Sequence, residues 1–421
     1  MTQAELLSIL NAYATEEKIS IFDKINGKNI YQHIIDHSVY SDFAVYVQQV
    51  FLQKNTQEIS FMTCAPSRHS SPCSERREAL LFGGRKAEDK PNILQTTHGF
   101  YVLEPAPIGQ GGWGTVYSGK FCTLVDGKTQ IHAPLAIKKI SSPNTLQLDK
   151  EYQMFQKAYP DQFSGLFEDL GVTYLAMPRF NGNPLDSYLV TEQLLSIEER
   201  QNMVISLLTA MAHIHEQGVI HHDIKPKNIL YDPTTKRMYI VDFGCAEEVG
   251  MRIQYSNIMT SKYAIEYMPP EYVQGGTQTH ERNDSYAMSL TLAEILGLNK
   301  KTLVDARLKN ALRGLKNTAF KQDLLDTFTK NATLDEALFS APIMVYHQTP
   351  VFKAFIQAYV IETYDFSSYH QQLGEETVRW LNAMQSIIST DRPSMPMALA
   401  WYKKIVSQET TEHKTEFKLG F

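Results

Sequence analysis

Cysteine is scarce in this chain of 421 residues: Cys64, Cys73, Cys122 and Cys245 are the whole complement, and no two stand at C-x-x-C spacing. That spacing holds zinc or a redox dithiol, so neither is expected, and free thiols in a reducing compartment fit the composition. Long apolar runs are missing as well. No stretch reaches the roughly 18 apolar residues that a spanning helix needs, so no integral membrane segment is expected. There is no excess of positive charge: 40 Lys+Arg stand against 46 Asp+Glu, a formal charge of −6. Neither nucleic acid nor an anionic membrane is therefore expected as an obligatory partner. The N-terminus, MTQAELLSILNAYATEEKIS, lacks the basic start, apolar stretch and small-residue cleavage site of a secretory leader. What is present is ordinary globular material, 43% hydrophobic and 20% charged, which excludes a largely unfolded chain. The length predicts two or three domains.

Residues 1–95 read as an accessory region, mostly helical, with apolar positions Leu6, Leu7 and Leu10 and then Phe43, Val45, Val47, Val50 and Phe51. It ends in a polar linker from Cys64 to Pro91, rich in Ser, Gly and charge. From about residue 96 three strand-like segments follow, FYVLEPAPIGQ, TVYSGKFCTLV and HAPLAIKKI, which predict a meandering antiparallel sheet. A helix is expected to begin near Thr145 and carry Leu148, Tyr152 and Phe155, with two short strands before Pro178. Beyond Gly182 the pattern turns helical. Ser196-Ile-Glu-Glu199 is a capping-box signal, and Val204, Leu207, Leu208, Met211 and Ile214 recur at the spacing of a buried helical stripe. The tail from 409 to 421 mixes charges and reads as solvated chain.

Five motifs in a fixed order carry the chemistry. Ile108-Gly-Gln-Gly-Gly-Trp-Gly-Thr-Val116 is a strand, a glycine-rich turn at Gly109, Gly111 and Gly114, and a return strand. Glycines there let backbone N–H groups approach phosphate oxygens closely. Leu135-Ala-Ile-Lys138 ends an apolar run on a cation. Glu151, 13 residues on, suits that cation as a partner that aims the ammonium at nucleotide phosphates; Asp149 is the rival, and Phe155 one turn beyond Glu151 favours Glu151. In Val219-Ile-His-His-Asp-Ile-Lys-Pro-Lys-Asn-Ile-Leu230, Asp223 and Asn228 stand five apart, so one carboxylate can meet a substrate hydroxyl while the amide carbonyl reaches a metal. Lys225 can neutralise charge on a phosphoryl group in flight. Tyr239-Ile-Val-Asp-Phe-Gly244 ends a strand on Asp242, a carboxylate suited to Mg²⁺. Met268-Pro-Pro-Glu271, with Asp284 and Arg392 downstream, supplies candidate ion-pair partners for anchoring a long loop.

Residues from about 100 to 405 resemble the eukaryotic-type protein kinase family, in motif order across nearly the whole domain. The resemblance implies an α+β, two-lobed fold: an N-lobe of antiparallel sheet plus helix over 96–180, and a mostly helical C-lobe over 181–408. It implies that Gly109, Gly111 and Gly114 cover ATP, with Ile108, Val116 and Ala136 against the nucleotide and Lys138 held by Glu151. Met177 to Phe180 would be the hinge on adenine, with Met177 as gatekeeper. Asp223 would be the catalytic base, Asn228 and Asp242 the Mg²⁺ ligands, and Phe155, His221, Phe243 and Asp284 an internal spine with its anchor. Lys225 in HHDIKPKN is similar to the serine/threonine class, which implies protein substrates.

The departures carry their own expectations. His222 stands where many members have an arginine that grips an activation-segment phosphate, so activity independent of that phosphorylation is expected. The usual Gly-Thr pair falls on Tyr263-Ala264, so the threonine that bonds the catalytic loop is missing. The stretch 298–380 aligns poorly and reads as divergent helices or an insertion. Two rivals stand beside the enzyme: a scaffold that has lost catalysis, disfavoured because lysine, base and both metal ligands are present, and a kinase of small molecules, disfavoured by the MPPE motif and Arg392. Residues 1–95 are the candidate site for a regulatory partner. A cytoplasmic location is expected, or the host cytoplasm if the chain is a bacterial effector.

Overall fold

A computed structural model describes residues 24–25, 28–29, 92–96, 99–111, 114–125, 128–140, 145–169, 172–191, 195–251, 264–274 and 278–419. Nearly all of the accessory region expected over 1–95 lies outside these residues. Within it, Lys24–Ile25 and Lys28–Asn29 form a short antiparallel pair. The chain divides into two compact units, one of residues 1–152 and 161–179, the other of 153–160 and 180–421.

In the first unit six strands lie side by side in an antiparallel sheet, ordered Asn92–Thr96, Gly99–Gly111, Gly114–Val125, Leu135–Lys139, Val172–Pro178 and Gly165–Asp169, with Lys128–Ile131 paired to the third. The meander read from sequence is its middle. The strand Asn92–Thr96 joins it through Ile93 opposite Val102, so the sheet begins a few residues before 96. Register makes the two faces unlike. Tyr117, Ile137 and Ala176 form one cross-strand row, and that face packs Leu94, Tyr101, Leu103, Leu135 and Tyr174 into an apolar core. Gly109, Val116, Lys138 and Leu175 form the neighbouring row, on the opposite face because side chains alternate along a strand.

The second unit is mostly helical. Its longest fully described helix, Ile197–Glu216, starts as expected: Ser196 Oγ accepts from the Glu199 N–H, while the Glu199 carboxylate accepts from the Ser196 N–H. Val204, Leu207, Leu208, Met211 and Ile214 are all fully buried along one stripe. The pairs Val219–Ile220 with Glu247–Glu248 and Ile229–Asp232 with Arg237–Ile240 form two small ladders. The divergent stretch consists of helices: Lys300–Arg313, Thr318–Lys330, Leu334–Leu338, Ala341–Met344, Pro350–Ile361 and Glu375–Met384. The last helix runs Met395–Leu419, so the tail expected as solvated chain continues it. No helix among the described residues is long and apolar enough to cross a membrane.

Candidate active site

The chemistry-bearing residues of the first unit sit on the sheet face away from its core. Lys138 reaches both oxygens of Glu151, at 2.7 and 2.8 Å, and both side chains are almost wholly enclosed. Glu151 rather than Asp149 takes the pair because it falls on the buried stripe of the helix Thr145–Ala158, with Leu148, Met154 and Phe155. A buried lysine is stable only when its charge is met, and the carboxylate fixes where the ammonium points. Val116 stands directly across from Lys138, and Ala136 across from Met177. Ile108 is half exposed. Of the expected glycines, Gly114 is enforced by the chain itself: its φ is +138°, and a Cβ there would stand 2.3 Å from the Lys139 carbonyl oxygen. A Cβ at Gly109 would make only ordinary contact with Val116, so the first unit's own packing does not demand glycine there.

In the second unit the segment after Val219–Ile220 is organised by Asp284, a buried carboxylate on the helix Glu281–Ile295. It accepts from the His221 N–H and the His222 N–H at 2.8 Å each, and meets His215 Nε2 at 2.9 Å. Burial by itself would push this carboxyl up; the bond from His215 and the neighbouring histidines hold it below the usual aspartate range. Asp284 therefore spends its oxygens on the loop, and Arg392 goes elsewhere. Both guanidinium ends of Arg392 meet Glu271 at 2.7 Å, so Arg392 has one carboxylate partner, the Glu of Met-Pro-Pro-Glu, and not two.

His222 adopts φ +65° and turns its Nδ1 to the Tyr272 hydroxyl inside the unit. Asp223 follows, 7% exposed. Lys225 Nζ donates to Asp223 Oδ2 at 2.7 Å, and Asn228 Nδ2 donates to the same oxygen at 2.8 Å and to the Asp223 carbonyl at 2.9 Å. Desolvation pushes the Asp223 carboxyl above the usual aspartate range, against the pull of Lys225. Burial lowers the Lys225 ammonium, but Asp223 together with the charges of Asp242 and Asp335 brings the net shift upward. Because Asn228 donates its amide hydrogens to Asp223, its carbonyl oxygen is the end left for a cation. The Ile229–Ile240 pairing carries the loop into Asp242, which has φ +66° and ψ +74° and charge close enough to raise Asp223 further. Amide and carboxylate oxygens are hard donors, the type Mg²⁺ takes alongside substrate phosphates. Phe243 lies edge-on to Phe155 and His221, at 5.8 and 5.0 Å between centroids, which makes the expected spine continuous within this unit. Phe180 stacks on Tyr239 at 4.6 Å, so its ring is used in packing. Cys245 is buried in the turn after Asp242. Trp113, Cys64, Cys73 and the activation-segment hydroxyls Tyr255, Ser256, Thr260, Ser261 and Tyr263 lie outside the described residues.

Sequence reasoning missed a third group, around the turn Ile265–Tyr267. Glu266 is buried there, with Glu294, Asp335 and Lys300 partly exposed around it, and Lys300 Nζ lies 3.1 Å from Glu266. Arg307 is 1% exposed beside them. A signal existed for Arg307: it interrupts the apolar stripe Leu303, Val304, Leu308, Ala311 at helical spacing, where an arginine must find partners indoors.

Comparison with known proteins gives the same outline. The model of the protein kinase domain matches residues 104–399. Among curated relatives, a probable serine/threonine-protein kinase, kinX, of Dictyostelium discoideum is 28% identical over 240 residues, 54% of this chain and 20% of its own. Serine/threonine-protein kinase D of Synechocystis sp. is 29% identical over 215 residues, 47% of this chain and 40% of its own. Protein kinase MCK1 of Saccharomyces cerevisiae is 25% identical over 266 residues, 60% of this chain and 68% of its own. The chain thus spans well under half the length of the first two.

Proposed function

The chain belongs to the protein kinase domain family, and from that premise we propose that it transfers the γ-phosphoryl group of ATP to serine or threonine hydroxyls of protein substrates. The observation that carries this reading is the Asp223, Lys225 and Asn228 arrangement, in which one carboxylate oxygen is held by two donors. A carboxylate so fixed has its other oxygen, Oδ1, to accept the proton of an incoming hydroxyl. Its raised affinity for protons suits it to orienting and then receiving that proton. Lys225, already beside Asp223, offers positive charge where a transferring phosphoryl group gains negative charge. Lys138, aimed by Glu151, would hold the nucleotide phosphates. Asn228 and Asp242 would hold Mg²⁺, which when bound neutralises phosphate charge. Little covalent work falls to the protein: positioning and charge do most of it.

Activity without activation-segment phosphorylation belongs to the same proposal. An arginine at 222 could grip a phosphate, but His222 is buried and bonded to Tyr272. Tyr267, one of the hydroxyls on that segment, is enclosed and donates to Glu294 at 3.0 Å, so its role is structural.

The test is transfer from labelled ATP with Mg²⁺ to histone and to a Ser/Thr peptide library. Asp223→Ala and Asp242→Ala are each expected to lower transfer by about 100-fold or more. Transfer within threefold of wild type in either variant would sink the reading. Replacing Tyr255, Ser256, Thr260, Ser261 and Tyr263 together is expected to leave most activity; its loss from a folded protein would remove the phosphorylation-independent part alone.

A further inference from the structure

The turn Ile265–Glu266–Tyr267 ends the stretch that the missing threonine at Ala264 would otherwise tie to the catalytic loop, yet each of its three residues is held. The Ile265 N–H donates to Asp335 Oδ1 at 3.1 Å. The Glu266 carbonyl accepts from Arg307 Nη1 at 3.0 Å and from the Tyr364 hydroxyl at 2.6 Å. The Glu266 carboxylate accepts from the Leu334 N–H at 2.6 Å and pairs with Lys300. The Tyr267 hydroxyl donates to Glu294. Except for Glu294, every one of these partners comes from the divergent helical stretch.

Asp335 is the member that holds the first N–H of the turn. It sits at the start of the helix Leu334–Leu338, which Thr333 and Glu336 cap reciprocally, so its backbone is fixed. Its charge is felt by Lys225, and the charges of Lys225 and Asp223 are felt by Asp335.

We propose that Asp335 is a positioning residue for the acceptor. From a distant helix it holds the turn 265–267 through the Ile265 N–H, in place of the hydroxyl absent at 264, so that a substrate hydroxyl arrives at Asp223. This rests on the protein-kinase reading above. Arg307 and Tyr364 support the same turn from its far side, through the Glu266 carbonyl.

The test measures KM for ATP and for the best acceptor peptide of the Ser/Thr library, together with amide hydrogen exchange at Ile265. Asp335→Ala is expected to raise acceptor KM by about tenfold or more and leave KM for ATP within about twofold. The Ile265 amide should exchange about tenfold faster, with the helix Ile197–Glu216 unaffected. Asp335→Asn, which keeps an oxygen for that N–H, should show a smaller rise. Tyr364→Phe should raise acceptor KM severalfold through the other support; these two variants carry the test if Asp335→Ala does not fold. An active wild type whose acceptor KM is unmoved by these changes overturns this inference alone, as does a parallel rise in KM for ATP. A wild type that phosphorylates no acceptor overturns the kinase reading and this inference together.

Discussion

Arg392 and Arg307 are each 1% exposed, and both lie against the ring of Tyr286, 5.0 and 5.9 Å from its centroid, yet their charges are met in opposite ways. Arg392 has a carboxylate: Glu271 takes two bonds from it, with the Arg282 and Ser386 carbonyls filling the rest of the fork. Arg307 has none among the described residues. Its three bonds go to the carbonyls of Glu266, Tyr359 and Val360, and its plane lies over the rings of Tyr359 and Tyr364 at 4.3 and 4.6 Å. Around Arg392 cation and anion are matched; around Arg307 the neighbouring carboxylate Glu266 pairs with Lys300 instead. A matched pair closes a loop between distant segments, 121 residues apart here. An arginine held by carbonyls and rings fixes backbone, and here it fixes the turn we assign to acceptor seating.

The sharpest test of that contrast removes each arginine in turn. Arg392→Ala leaves the Glu271 carboxylate buried without its cation, and is expected to lower stability by about 3–5 kcal/mol. Urea unfolding would measure it, and a loss under about 1 kcal/mol would show that the matched pair is no anchor. Arg307→Met strands no opposite charge. It removes donors from three carbonyls while replacing a buried cation with an apolar chain of similar length, so about 1–3 kcal/mol is expected. A loss larger than that of Arg392→Ala would invert the comparison.

The two regions also differed in what the sequence disclosed. Glu271 stands next to a proline pair and Arg392 in an Asp-Arg-Pro-Ser segment, so type and order marked them as partners before any contact was known. The Lys138–Glu151 pair was legible for a similar reason: strand end and helix stripe leave few choices, and Phe155 broke the tie with Asp149. The capping box at Ser196 was written in four adjacent residues. Asp284 was read as the anchor of the spine and also offered to an arginine, because spacing cannot tell which of two carboxylates a guanidinium will reach. Asp335 carried no local signal beyond the Thr333 capping box. Its partner, Ile265, lies far from it along the chain, and only the packing of helices between 300 and 361 brings the two together. That stretch read as divergent helices or an insertion; which side chains its helices point inward at Glu266 was not legible.

Acidity gives the smallest and most selective test, since carboxylates short of cations titrate where matched ones do not. Burial raises the Glu294 carboxyl to about 7, with repulsion from Glu266 added and Lys300 opposing. Burial and then Glu266 raise Asp335 to about 7. A carboxyl raised in the folded state keeps a proton that the unfolded chain gives up near pH 4. Its contribution is fully present below that pH and is lost as pH rises through 7. Between pH 6 and 8 each group should therefore cost about 1 kcal/mol of stability, less where the two share Lys300. Melting temperature measured at the two pH values should fall toward pH 8. In Glu294→Gln, which still accepts from Tyr267, the slope should flatten, and Arg392→Ala should leave it in place. A slope that vanishes with Arg392 and survives Glu294→Gln would assign the unmatched charge to the wrong arginine's neighbourhood.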